Sequence, residues 1–138
     1  MTTIFDIIFY KVDYKKIAII IDSKKISYGK LLNDTIILIN FLNKEFSKTK
    51  KIATFLPNSY IQILFFLASS KLNKILFPME YNISEDNFKK VIDFYKFDLC
   101  IFDEENDKLS LKLNNNCGKL NSKEIEEIIL NNNKKLKI

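Results

Sequence analysis

The feature that most constrains this chain is a rhythm. Short unbroken apolar runs alternate with longer stretches whose apolar residues recur at helical spacing. "KIATFLP" (51–57) leads to "SYIQILFFLASSKL" (59–72), then "KILFPM" (74–79), "EDNFKKVIDFYKF" (85–97) and "DLCIF" (98–102). The short runs lack the polar alternation of a half-exposed strand, so they read as strands covered on both faces. The stretches between them read as helices; Phe88, Val91, Ile92 and Tyr95 make one such stripe. Strand–helix–strand–helix–strand in this order predicts an α/β fold, a parallel sheet core with flanking helices.

Elements upstream follow from the same signals. Thr3, with Asp6 three residues on, predicts an N-cap over "IFDIIFYKV". "KIAIIID" reads as a strand, Asp22-Ser23-Lys24 as a tight turn and "KKISY" as a short return strand. Ser27 caps a predicted helix, "GKLLNDTIILINFLNKEF". Its apolar face of Leu31, Leu32, Thr35, Ile36, Leu38, Ile39 and Leu42 is wide enough to be covered on more than one side. Ser84 caps the 85–97 helix, with Glu85 and Asp86 in the first turn, where the helix dipole favours acids.

Beyond Phe102 the character changes to polar, Asn-rich and Lys-rich. The expectation is therefore an α/β unit over 1–103 and a polar extension over 104–138. In the extension "KLSLKL" alternates like a short edge strand, and "SKEIEEIIL" is a short capped helix. The Asn triplets at 114–116 and 131–133 read as turns.

Composition excludes several functions. All 22 basic residues are Lys, often beside Asp or Glu, so the net charge of +5 reads as a solvated surface. Without Arg there is no bidentate fork for guanine or phosphate, and no nucleic-acid partner is expected. There is no His, which removes triads and most acid–base chemistry. Cys100 and Cys117 show no Cys-x-x-Cys spacing, so no metal site is expected, and with no signal sequence ahead of them a reduced, cytoplasmic protein is. No apolar run reaches the roughly 18 to 20 residues of a membrane span. Cys100, in an apolar strand, reads as core rather than nucleophile. Asp103-Glu104-Glu105 reads as the solvated start of a loop rather than a Mg²⁺ site. Tyr28 and Tyr60 read as packing at element ends.

The joint "FLPNS" (55–59) has two readings. Pro57 ends a strand, and Ser59 with Gln62 fits a capping box that seats the next helix. The alternative is an anion site on free helix N–H groups at the carboxyl end of a parallel strand. A phosphate cradle there would need glycine, and the chain has only two, Gly29 and Gly118.

Taken in order, residues 17–102 resemble the start of the adenylate-forming superfamily, the AMP-dependent synthetases and ligases that include acyl-CoA synthetases. "KISYGKLLND" is similar to the family's Thr-Tyr-x-Glu-Leu opening. "KIATFLPNSYIQILFFLASSKLNKILFPMEYNIS" is similar to its Val-Ala-Ile-x-Leu-Pro-Asn-Ser, the helix after it and a strand ending in Pro. "SEDNFKKVIDFYKFDLCIF" is similar to the following helix and strand. Leu72-Asn73 replaces the family's helix-ending Gly; Asn also tolerates the left-handed cap. Lys50-Lys51 replaces its Gly-Asp.

The resemblance implies an N-terminal portion of a ligase that joins a carboxylic acid to AMP and then passes the acyl group to a thiol such as coenzyme A. ATP and Mg²⁺ are implied for the whole family, none for this stretch. The family's Ser/Thr/Gly-rich phosphate loop, its Tyr-Gly-x-Thr-Glu motif, its ribose-binding Asp and its C-terminal Lys have no counterpart here. The expectation is thus no catalytic, cofactor-binding or metal-binding residue, and a chain inactive alone, reaching to just before the phosphate loop. The other expectations are a non-catalytic module that pairs with a separately encoded remainder or with itself, and a small nucleotide-binding α/β protein.

Overall fold

The computed structural model describes residues 2–114 and 116–136. Its centre is a parallel sheet of four strands in the order β4-β3-β5-β6. These are β3 (Lys51–Phe55), β4 (Ile75–Pro78), β5 (Leu99–Phe102) and β6 (Gly118–Asn121). A separate antiparallel hairpin, β1 (Ile17–Ile21) and β2 (Lys24–Ser27), stands beside it. Asp22 and Ser23 both carry positive φ, 50° and 67°, as a two-residue turn matching the twist of a hairpin requires.

Alternation along the two inner strands sorts the core into two layers. Ile52, Leu99 and Ile101 face a cluster built by three helices: α1 (Ile4–Phe9), α2 (Tyr28–Glu45) and α3 (Tyr60–Lys71). A fourth, α5 (Ser122–Leu136), completes that layer with Ile125 and Ile129. Ala53, Phe55, Cys100 and Phe102 face the opposite way, towards α4 (Glu85–Tyr95) and a 3₁₀ turn over Asp107–Lys112. The second layer is aromatic: Phe55 stacks on Phe102 at 5.4 Å between centroids, and Phe88 meets Phe55 edge-on at 5.1 Å. Because α3 and α4 cross on opposite faces, the sheet is doubly wound.

The caps explain where the helices begin. The side chains of Thr3, Ser27, Ser59 and Ser84 each accept from the backbone N–H three residues on. Asp6 returns the bond to Thr3 N at 3.0 Å, a complete capping box. At the far end of α3, Asn73 has φ 55°. Lys74 N donates to Ser69 O at 3.0 Å and Asn73 N to Ser70 O at 3.4 Å, the two bonds of a Schellman stop. Asn73 therefore does what the missing glycine would do. Lys50 N and Lys51 N, in place of Gly-Asp, both donate to Asp98 Oδ2 at 2.9 Å.

Several expectations are corrected. "KLSLKL" is not a strand. The free edge of β5 is taken by β6, so residues 107–112 satisfy their backbone locally as the 3₁₀ turn, burying Leu109 and leaving Leu111 in solvent. β6 itself was not foreseen, since "GKLN" carries one apolar residue. The segment after Phe102 is thus part of the sheet as well as of its helical cover. α5 runs past 130, through Asn131–Asn133, which are helical and not a turn; of the other triplet, Asn115 lies outside the described residues. β4 is a sheet edge and not a core strand, with Ile75 54% exposed. On α2 the buried positions include Ile37 and Asp34, whereas Ile36 faces outward.

Among the described residues no helix is long and apolar enough to cross a membrane. No group of three or more Cys, Asp or Glu among them is placed to hold a metal ion.

Candidate functional site

In a doubly wound sheet the ligand crevice opens beyond the carboxyl ends of the strands where the winding reverses. Here that place lies between β3 and β5, at Phe55–Ser59 and Asp103–Asn106. It is filled by protein. Asn106, 8% exposed, donates from Nδ2 to Phe55 O at 2.7 Å and to Tyr81 O at 3.2 Å. Its Oδ1 accepts from Asp103 N at 2.8 Å. One amide side chain therefore ties the ends of β3 and β5 to the loop after β4. Asp103 continues the seal: Oδ1 accepts from Ser122 Oγ and Oδ2 from Tyr81 OH, both at 2.9 Å. Tyr81 OH also lies 2.9 Å from Glu105 Oε2, so its one proton is shared between the two carboxylates. Its phenol is pushed well above the ordinary value by the Glu105 carboxylate first and by Asp103 next. Asp103 and Glu105 are therefore knitted into a latch, more than the solvated loop start their sequence implies. Glu104 is exposed.

The "FLPNS" joint itself is capped. Ser59 Oγ accepts from Gln62 N at 3.3 Å, so the first half of the expected capping box forms. The second half does not, because Gln62 Oε1 is buried with no hydrogen-bond partner among the described residues. Tyr60, the first residue of α3, turns its hydroxyl inward to Asp34 Oδ2 at 2.8 Å. Burial raises the Tyr60 phenol well above its usual range, and the bond to Asp34 adds to that.

Asp34 is the residue that sequence reasoning missed. It is 1% exposed on α2. It accepts from Lys30 Nζ at 2.9 Å, Tyr60 OH at 2.8 Å and Asn133 Nδ2 at 3.0 Å. Asn133 Oδ1 in turn accepts from Asn33 Nδ2. One buried carboxylate thus fastens α2, α3 and α5 together just behind the joint. A buried carboxylate needs such a donor set, because its desolvation costs several kcal/mol (roughly) unless it is paired. The Lys30–Asp34 spacing of i,i+4 was a readable signal for the ion pair; the donors from α3 and α5 were not. The hub lines one wall of an open cavity of about 870 Å³ between the hairpin, α3 and α5.

The remaining sequence candidates fall as follows. Cys100 is fully buried. Tyr28 is half-buried and packs on the helical layer. Gly118 carries no phosphate-loop geometry; a Cβ there would lie 2.9 Å from the Phe46 ring, so glycine is kept by close packing. At Gly29 a Cβ would meet the Tyr14 carbonyl at 3.1 Å.

The fold and its sealed crevice define a doubly wound α/β domain whose polar residues hold helices and strands together. No family model matches the chain, and no curated protein matches it. Solved structures do. A benzoate CoA ligase from Burkholderia xenovorans LB400 superposes with TM-score 0.81 at 14% identity, covering 94% of this chain and 28% of that one. Apo MatB from Rhodopseudomonas palustris gives 0.76 at 17% identity, covering 91% and 27%. VinN gives 0.75 at 15% identity, covering 85% and 32%. The chain therefore spans about a third or less of the structures it matches. It shares its fold with a part of each of these proteins.

Proposed function

We propose that this chain supplies the N-terminal scaffold of an ATP-dependent carboxylate ligase of the acyl-CoA synthetase kind, and that catalysis requires residues beyond these 138. The observation that carries this reading is the coincidence of two likenesses, one of sequence and one of fold. The ordered run from Lys51 to Ser84 resembles the family, and nearly the whole chain superposes on adenylate-forming enzymes while covering less than a third of the benzoate CoA ligase. The role of the "FLPNS" joint in this reading is to seat α3, with Ser59 capping it and Tyr60 bolting it to α2. ATP and Mg²⁺ would be held elsewhere, by a phosphate loop that two glycines in close-packed positions do not build.

The test is ATP–pyrophosphate exchange by the purified chain with a panel of aliphatic and aromatic carboxylic acids. No exchange above background is expected from the chain alone. Exchange by this chain without any other polypeptide would sink the proposal. Reading the genomic DNA downstream gives the companion check: a frame opening with a Ser/Thr/Gly-rich loop is expected.

One observation favours a related reading, that the chain associates with a separately encoded remainder or with itself. Phe94, 78% exposed, and Tyr95, 36% exposed, meet edge-on at 4.9 Å near the end of α4, and large apolar side chains bared together mark contact surfaces. Light scattering decides: a strictly monomeric chain at high concentration removes self-association.

A further inference from the structure

The chain has two cysteines, and the fold brings both to one place. Cys100 lies on β5 and pairs with Lys119 of β6; Cys117 sits two residues before Lys119, in the turn that leads into β6. A two-residue offset puts both side chains on the same face of the sheet. Their sulfurs are 3.7 Å apart, in direct contact. Cys100 is fully buried among Ala53, Phe97 and Phe102, whereas Cys117 is half-buried at the edge of that layer. Both line a cavity of about 470 Å³ that opens to solvent between α4 and the 3₁₀ turn. Charged groups on its wall are Asp93 and Lys96 from α4 and its cap, Asp98 at the entry to β5, and Lys112.

We infer that Cys117 and Cys100 form a thiol–disulfide exchange site, with Cys117 the attacking sulfur and Cys100 the resolving one. The substrate class is a small disulfide bearing carboxylates, such as glutathione disulfide. Lys96 on the cavity wall offers its carboxylates a counter-charge, with Lys112 beside it in an ion pair with Glu85 at 2.9 Å. The asymmetry of exposure sets the roles. Cys117 is the more exposed of the two at the cavity, and Cys100 backs onto it from within. The contact works in the same direction: the touching Cys100 thiol lowers the Cys117 thiol below its ordinary value, against burial and the nearby Asp98, while the same contact and burial raise Cys100.

The steps balance. Cys117 loses its proton and its thiolate attacks one sulfur of glutathione disulfide. That S–S bond breaks, and one glutathione thiolate leaves and takes up the proton. Cys100 then attacks Cys117 Sγ in the mixed disulfide, and the second glutathione leaves with the Cys100 proton. One protein dithiol is oxidised and one glutathione disulfide is reduced to two thiols. The product bond ties β5 to the entry of β6 and closes the loop that carries Asn106 and the 3₁₀ turn. This inference does not rest on the ligase reading.

The experiment treats the native chain with glutathione disulfide and follows intact mass and non-reducing peptide maps. The expected result is loss of two hydrogens, a Cys100–Cys117 cross-link and a rise in Tm that dithiothreitol reverses. Cys100→Ser should stop at a glutathione adduct on Cys117, and Cys117→Ser should not react while folded. Phenylarsine oxide, which grips two thiols at once, should bind the reduced wild type and neither variant. A wild type that stops at a stable glutathione adduct overturns the inference. So do disulfide-linked dimers in place of the internal bond, unchanged reactivity of Cys117→Ser, or no reaction of the native chain. Should a variant fail to fold, the wild-type cross-link and arsenical binding decide alone.

Discussion

Replacing Asp34 by Ala removes the acceptor shared by α2, α3 and α5. Three donors converge on it, and they do not weigh equally. Lys30 is 53% exposed in its side chain, so it returns to water and its pair is worth about 0.5 kcal/mol. Tyr60 OH and Asn133 Nδ2 are bound at 2.8 and 3.0 Å in half-buried positions, and hydrogen bonds to a charged group are worth about 1.5 kcal/mol each at the low end. The sum is about 3 to 3.5 kcal/mol of lost stability, before any gain from no longer burying a charge. At about 3 °C per kcal/mol for a domain of this size, Tm should fall by about 10 °C. Differential scanning calorimetry or a urea titration measures it. A double-mutant cycle with Tyr60→Phe should then show coupling of about 1 kcal/mol or more. A loss below about 1 kcal/mol for Asp34→Ala, or an additive cycle, refutes the hub; the carboxylate's desolvation would then cancel its bonds, as happens for some buried ion pairs.

Three further outcomes follow from the same geometry. Asn106→Ala strands the Phe55 carbonyl and unties the loop after β4, so it should cost about 2 to 3 kcal/mol and raise amide exchange at Met79–Asn82 and Asp103–Leu109 ahead of the sheet. Gly118→Ala forces a methyl to within 2.9 Å of the Phe46 ring; a cost of about 1 to 3 kcal/mol is expected in urea titrations, and Phe46→Leu should recover part of it. Asp6 is held down to about 2 from 3.8, by its bond from Lys71 first and from Thr3 N next. A carboxylate with a depressed folded value gives stability that is present above about pH 4 and lost as pH falls towards 2. Asp6→Asn should therefore flatten the stability–pH curve in that window, as thermal melts between pH 5 and 2 will reveal.

How much was legible can be told from particular elements. The order of strands and helices from Ile17 to Phe102 was, because it rests on local periodicity and on caps whose partners lie three residues away. Ser27, Ser59 and Ser84 each announce a helix in this way. Asn73 was legible too, since a left-handed stop is a local demand. The sealed crevice was not. Asn106 meets Phe55 O across 51 residues of chain, and Asn133 meets Asp34 across 99. No local pattern carries such information. β6 failed for a related reason: "GKLN" becomes a strand because β5 offers it an edge, and the alternating "KLSLKL" is denied one by the same pairing.

By itself, then, the sequence determined a parallel α/β scaffold, the joints between its elements and the likeness to adenylate-forming enzymes. These are properties of periodicity and capping, which act over a turn or two of chain. Tertiary structure alone decided which polar groups were taken out of water. Asp34 became a buried hub, Asn106 a latch over the crevice, and Cys100 and Cys117 a touching pair. Burial is a property of the whole packed chain, and a polar side chain changes its chemistry only once its surroundings are assembled.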